Sequence, residues 1–127
     1  AAGPFTIRVL AAPRSVYRDE LLHESSLERG VPFLVVIQPS SRDLTTNLEN
    51  HHEALRGTLG YDRRRLDRWM QEICDDAGID VVNLFDVFEA TGDPDSLYFP
   101  SPDPHWNEEG QRVAAEAVAE RVAPLLR

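Results

Sequence analysis

The chain has 127 residues, 42% hydrophobic and 28% charged, with thirteen arginines, no lysine and a formal net charge of −9. That size and balance fit one globular domain over residues 1–127 and exclude a disordered chain. The negative charge excludes nucleic acid and anionic membrane as main partners, because both are polyanions.

In chain order, strand-like and helix-like segments alternate. Phe5 to Ala11 (FTIRVLA) is a β-prone run closed by Ala12-Pro13. Ser15 can cap a helix that runs to Arg29 and stops at Gly30. Val31 to Gln38 holds FLVVI, a continuous apolar run that predicts a strand buried on both faces, as in a parallel sheet. Over residues 43–59, Leu44, Leu48, Leu55 and Leu59 predict one face of a polar helix. From Asp62 to Ala77, Leu66, Trp69, Met70, Ile73 and Cys74 recur at helical spacing, so Trp69 and Met70 are expected in the core and Gly78 ends the helix. Asp80 to Phe85 (DVVNLF) predicts a third strand, and a loop rich in Pro and Asp runs to Trp106. Asn107 then caps a last helix with Glu108 and Glu109 in its first turn. Ala114, Val118 and Val122 give that helix a buried stripe.

The alternation implies right-handed crossovers, a parallel sheet and helices on its faces. Ligands of such sheets bind beyond the carboxyl ends of the strands. Residues 12–15, 39–43 and 86–106 share that rim, and the chemistry is expected there.

The rim carries Asp103-Pro104-His105-Trp106-Asn107. A carboxylate two residues before a histidine can fix the imidazole tautomer and stabilise the imidazolium that forms when the histidine takes a proton. The stretch DPHWNEEGQRVAAEAVAERV resembles the C-terminal block of SGNH (GDSL-type) hydrolases, and YRDELL…ERGVPFLVVIQPS…AGIDVVNLFDVF resembles the run-up to it. The commonest family spacing is Asp-x-x-His. The closer Asp-x-His of this chain is similar to the branch of alginate O-acetylation proteins.

The resemblance implies an α/β fold, a three-layer α/β/α sandwich with a parallel sheet of the flavodoxin-like, SGNH hydrolase type. It makes His105 the general base and Asp103 its orienting partner, and places Trp106 at the pocket wall; Arg42, on the rim segment 39–43, is a further pocket candidate. The activity implied is a serine esterase or O-acyl (acetyl) transferase acting on acyl esters of small molecules or carbohydrates, without a cofactor. An exported or periplasmic bacterial setting goes with it, although Ala1-Ala2-Gly3-Pro4 lacks the charged start of a signal peptide. The family nucleophile sits in a Gly-Asp-Ser motif, and the chain contains none. The first strands of the fold, with that serine, are therefore expected before residue 1. Ser40 and Ser41, just after FLVVI, are the candidate nucleophiles within the chain, against a turn-and-cap role. Losing the serine of a triad costs about 10⁶ in turnover, so the chain without one is close to inert. The alternative is a non-catalytic SGNH-derived binding or assembly domain. The edge at residues 5–11 would then be open to pairing with another strand.

The remaining clusters carry weaker signals. His51-His52-Glu53 contains zinc-type ligands, but adjacent helical residues point about 100° apart, which favours a solvated face. Arg63, Arg64, Arg65 and Arg68 read as a solvated face paired with Asp62 and Asp67. Asp93, Asp95 and Asp103 lack a regular calcium-ligand spacing. Cys74, alone, excludes an internal disulfide and reads as a buried inert thiol. No apolar run reaches the ~20 residues that span a bilayer.

Overall fold

The computed structural model describes residues 6–10, 16–45, 62–100 and 103–126. The elements are β1 (Thr6–Leu10), α1 (Val16–Arg29), β2 (Phe33–Ile37), α2 (Ser41–Leu44), α3 (Arg65–Asp76), β3 (Asp80–Asn83) and α4 (Leu84–Glu89). A 3₁₀ turn (Pro94–Leu97), α5 (Glu108–Val122) and a second 3₁₀ turn (Ala123–Leu126) follow.

The three strands form one parallel sheet in the order β1-β2-β3, with Thr6 opposite Phe33 and Leu34 opposite Asp80. All five residues of β2 are buried, as its unbroken apolar run predicts. The pleat divides them between two faces. Phe33, Val35 and Ile37 pack with Met70 and Cys74 of α3. Leu34 and Val36 pack with Phe85 and Phe88 of α4 and with Ala114 and Val122 of α5. On the α3 side, the His23 ring of α1 lies 5.7 Å from that of Phe33. Helices cover both faces, which is the three-layer α/β/α arrangement. Burial of each large apolar side chain in these layers contributes about 1.5–3 kcal/mol.

Gly30 and Gly78 end α1 and α3 as expected, with φ of 65° and 67°. At Gly78 the turn is closed by Ile79 N–H donating to the Cys74 carbonyl at 2.8 Å. Only a residue without a Cβ takes this backbone without strain.

Four expectations change. Trp69 is not in the core: it is 47% exposed, and Leu66 is 40% exposed. The buried stripe of α3 is Asp67, Met70 and Cys74, rotated about 100° from the stripe through Leu66 and Trp69. Asp67 draws it round by accepting hydrogen bonds from Arg64 and Asn83. The third strand stops at Asn83 rather than Phe85, because the Asn83 side chain accepts from Phe85 N–H at 3.1 Å and starts α4. Residues 86–106 are accordingly no plain loop, since they include most of α4, the first 3₁₀ turn and a bridge between Tyr98 and Trp106. Of the polar helix expected over 43–59, Ser41–Leu44 forms α2 and buries Leu44. Leu48, Leu55, Leu59, His51, His52, Glu53 and the Ser15 cap lie outside the described residues.

Candidate functional site

The carboxyl end of β3 leads through α4 and the 3₁₀ turn into a short antiparallel hairpin. Its two arms meet at the bridge between Tyr98 and Trp106. Asn107 N–H donates to the Leu97 carbonyl at 3.0 Å, and Phe99 N–H donates to the His105 carbonyl at 3.0 Å. These bonds lie on either side of the bridge, so Tyr98 and Trp106 face each other as the closely spaced pair of an antiparallel ladder. Both rings turn inward and meet Phe88 edge-on, with centroids 6.1 and 5.5 Å away. Phe99 and His105 occupy the opposite, exposed face.

Asp103 and His105 come together at the tip. Asp103 Oδ1 accepts the His105 backbone N–H at 2.9 Å and lies 2.6 Å from His105 Nδ1. An ionised carboxylate only accepts, so Nδ1 carries the shared proton, and in the neutral imidazole the lone pair is then on Nε2. The backbone N–H of His105, then its imidazole, hold the Asp103 carboxyl below the usual aspartate range. The His105 side chain is 81% exposed.

Four further residues lie around this tip. The Asn107 amide donates to the Ser96 carbonyl at 2.7 Å and the Tyr98 carbonyl at 3.0 Å, while its oxygen accepts Gly110 N–H at 3.0 Å. Sequence reasoning found the cap and missed the two donors; the signal was an asparagine where serine or aspartate caps equally well. Tyr98 donates its hydroxyl to the Pro39 carbonyl at 3.3 Å, tying the hairpin to the end of β2. Burial pushes the Tyr98 phenol up to about 12, although the neighbouring Trp106 indole favours the phenolate. The Trp106 indole nitrogen is buried without a formed hydrogen bond. Gly110 lets α5 approach closely: a Cβ there would sit 2.2 Å from the Leu97 carbonyl oxygen.

The other candidates fall elsewhere. Ser40 caps α2, its hydroxyl accepting Arg42 N–H at 3.2 Å. Among the described residues no hydrogen bond joins Ser40 or Ser41 to His105. Arg42 is exposed on α2. Trp106 is half-buried beneath the tip and packs against the core.

Of the arginine cluster, Arg65 and Arg68 are exposed and Arg68 pairs with Asp62, as expected of a solvated face, whereas Arg64 is mostly buried. Arg64 pairs with Asp67 and Asp86 at 2.6 Å and with Glu89 at 3.2 Å, and lies over the Phe85 ring at 4.2 Å. The Asp67 hydrogen bond, more than any other contact, raises the Arg64 pKa against the effect of burial. Arg63 pairs with Glu89 and donates to the Asp43 carbonyl. This network clamps α3 to α4 just below the rim. Cys74 is buried, as expected. No group of three or more potential ligands stands ready for a metal among the described residues. An open depression lined by Gln71, Asp75, Asp80 and Arg121 lies at the start of β3, the opposite end from the hairpin.

A parallel three-layer sandwich with an Asp-x-His pair on its carboxyl rim defines an SGNH hydrolase-like domain. The family model described as the SGNH hydrolase-like domain of acetyltransferase AlgX matches residues 20–126. The chain belongs to that family. No match was found among curated proteins or among solved structures. No helix among the described residues is long and apolar enough to cross a membrane.

Proposed function

We propose that residues 1–127 form a single domain that supplies the acid–base half of a serine esterase or O-acetyltransferase centre, with His105 as base and Asp103 as its orienter. The nucleophilic serine comes from outside this chain. The observation that supports this is the Asp103–His105 contact, 2.6 Å at Nδ1, which leaves Nε2 free of that contact on a side chain that is 81% exposed.

In this reading Nε2 takes the hydroxyl proton of the serine as its oxygen attacks the ester carbonyl. The imidazolium returns that proton to the departing alkoxide, leaving an acyl-enzyme. Water or a carbohydrate hydroxyl, deprotonated by the same nitrogen, then attacks the acyl carbonyl, and the imidazolium returns that proton to the serine oxygen as its ester bond breaks. His105 moves each proton, Asp103 stabilises the imidazolium, and no step calls for a cofactor. The substrates are acyl esters, carbohydrate esters among them, met in the bacterial periplasm. A further strand pairs along β1.

The test uses the intact parent protein with p-nitrophenyl acetate and a fluorophosphonate label. Wild type turns over the ester and one serine is labelled, whereas His105→Ala lowers turnover by up to about 10⁶-fold. Undiminished turnover in that variant refutes His105 as base. Labelling at Ser40 or Ser41 refutes an outside serine. Absence of both turnover and label favours the second reading, a non-catalytic SGNH-derived assembly domain, which the 81% exposure of the His105 side chain supports.

A further inference from the structure

We propose that Asn107 is a positioning residue for the His105–Asp103 pair, acting through the hairpin backbone without touching either side chain. The inference rests on the reading of His105 as base. Its own observation is the double use of one amide. The Asn107 oxygen accepts Gly110 N–H, and its nitrogen reaches the carbonyls of Ser96 and Tyr98. The orientation of the amide is unambiguous, since the reverse would set its oxygen against two carbonyl oxygens.

Capping alone does not call for this residue. Aspartate and serine cap about as well, but neither offers two donors along with the acceptor. The extra donors tie the arm that leads into the tip to the residue where the helix starts. The ladder they reinforce is short: one bridge, flanked by the bonds from Asn107 N–H and Phe99 N–H. A two-stranded ribbon of that length is marginal in water. His105 sits on the return arm of the ribbon, two residues before Asn107, and its carbonyl is the acceptor for Phe99. Slack in the ribbon therefore moves the imidazole relative to whatever it serves, and a displacement near 1 Å costs about 100-fold in rate.

The experiment compares Asn107→Asp and Asn107→Ser with wild type in the intact protein carrying ¹⁵N-labelled histidine, with His105→Gln to assign the signal. Both variants keep the cap acceptor and lose the paired donors, so far-UV dichroism is expected to stay near wild type. Asn107→Asp also sets a carboxylate oxygen against the two carbonyls, so Asn107→Ser is the variant whose thermal unfolding is expected to stay near wild type. In mildly alkaline buffer the wild-type His105 spectrum shows the Nδ1–H tautomer. The variants are expected to show the mixed tautomers of a free imidazole, with kcat for ester turnover lowered about 100-fold at unchanged KM. A wild-type tautomer in both variants overturns the proposal. So does a tautomer change that merely tracks loss of global folding. If the wild-type protein turns over no ester, the functional reading fails, and the tautomer measurement alone decides the role of Asn107.

Discussion

Asp103 Oδ1 serves two donors of one neighbour, and the two are separable. The backbone N–H of His105 is the larger cause of the lowered Asp103 pKa, and the imidazole is the second. A carboxyl depressed on folding stabilises the fold above its unfolded pKa, and that contribution is lost as pH falls through the lower folded value. The turn at Asp103 is therefore held through neutral and mildly acidic pH and released only in stronger acid. His105→Ala removes the ring but keeps the backbone donor. Its Asp103 titration, followed by carboxyl ¹³C shift, is expected to move only part of the way to the unfolded midpoint. Complete return would assign the depression to the ring alone. This pair was legible in the sequence because both partners lie within one turn. The Tyr98–Pro39 tie was not, since it joins residues 59 apart and nothing local marks it.

Between elements, α5 approaches the first 3₁₀ turn closely, and Gly110 permits it. In an isolated helix, replacing glycine by alanine gains about 1 kcal/mol. At Gly110 the added Cβ meets the Leu97 carbonyl oxygen at 2.2 Å and Trp106 Cβ at 3.1 Å. A backbone oxygen cannot rotate away as a flexible side chain can. Gly110→Ala is expected to lose about 1–3 kcal/mol in urea unfolding, the usual cost of overpacking, with the sign reversed from helix propensity. A stabilised variant would refute the close contact. Element types were legible where one periodicity ruled, as in β2 and α5. They were misread where a polar residue decided the outcome. Asn83 converts an apolar run into strand plus helix by capping α4. Asp67 rotates α3 so that Trp69 faces out. Apolar spacing alone registers neither effect, because each turns on side-chain hydrogen bonds of a polar residue, which the apolar pattern does not encode.

At the scale of the whole molecule, the sheet of the described residues ends at β1. β1 pairs with β2 on one side, and no strand lies beyond it among the described residues. An open parallel edge carries unused donors and acceptors and recruits further strands. The net charge of −9 opposes self-association in general, but salt screens that repulsion while leaving backbone pairing intact. The 127-residue chain is therefore expected to associate in a concentration-dependent way that grows with salt, as read by sedimentation velocity. Adjacent strand residues point their N–H groups to opposite sides, so Arg8→Pro and Val9→Pro separate the two edges of β1. One of them deletes a donor from the open side, which an edge strand tolerates, and should leave the fold intact while abolishing association. The other deletes a donor to β2 and should lower the unfolding temperature. Association that survives in the stably folded variant would place the contact elsewhere on the molecule and leave the β1 edge without a role in assembly.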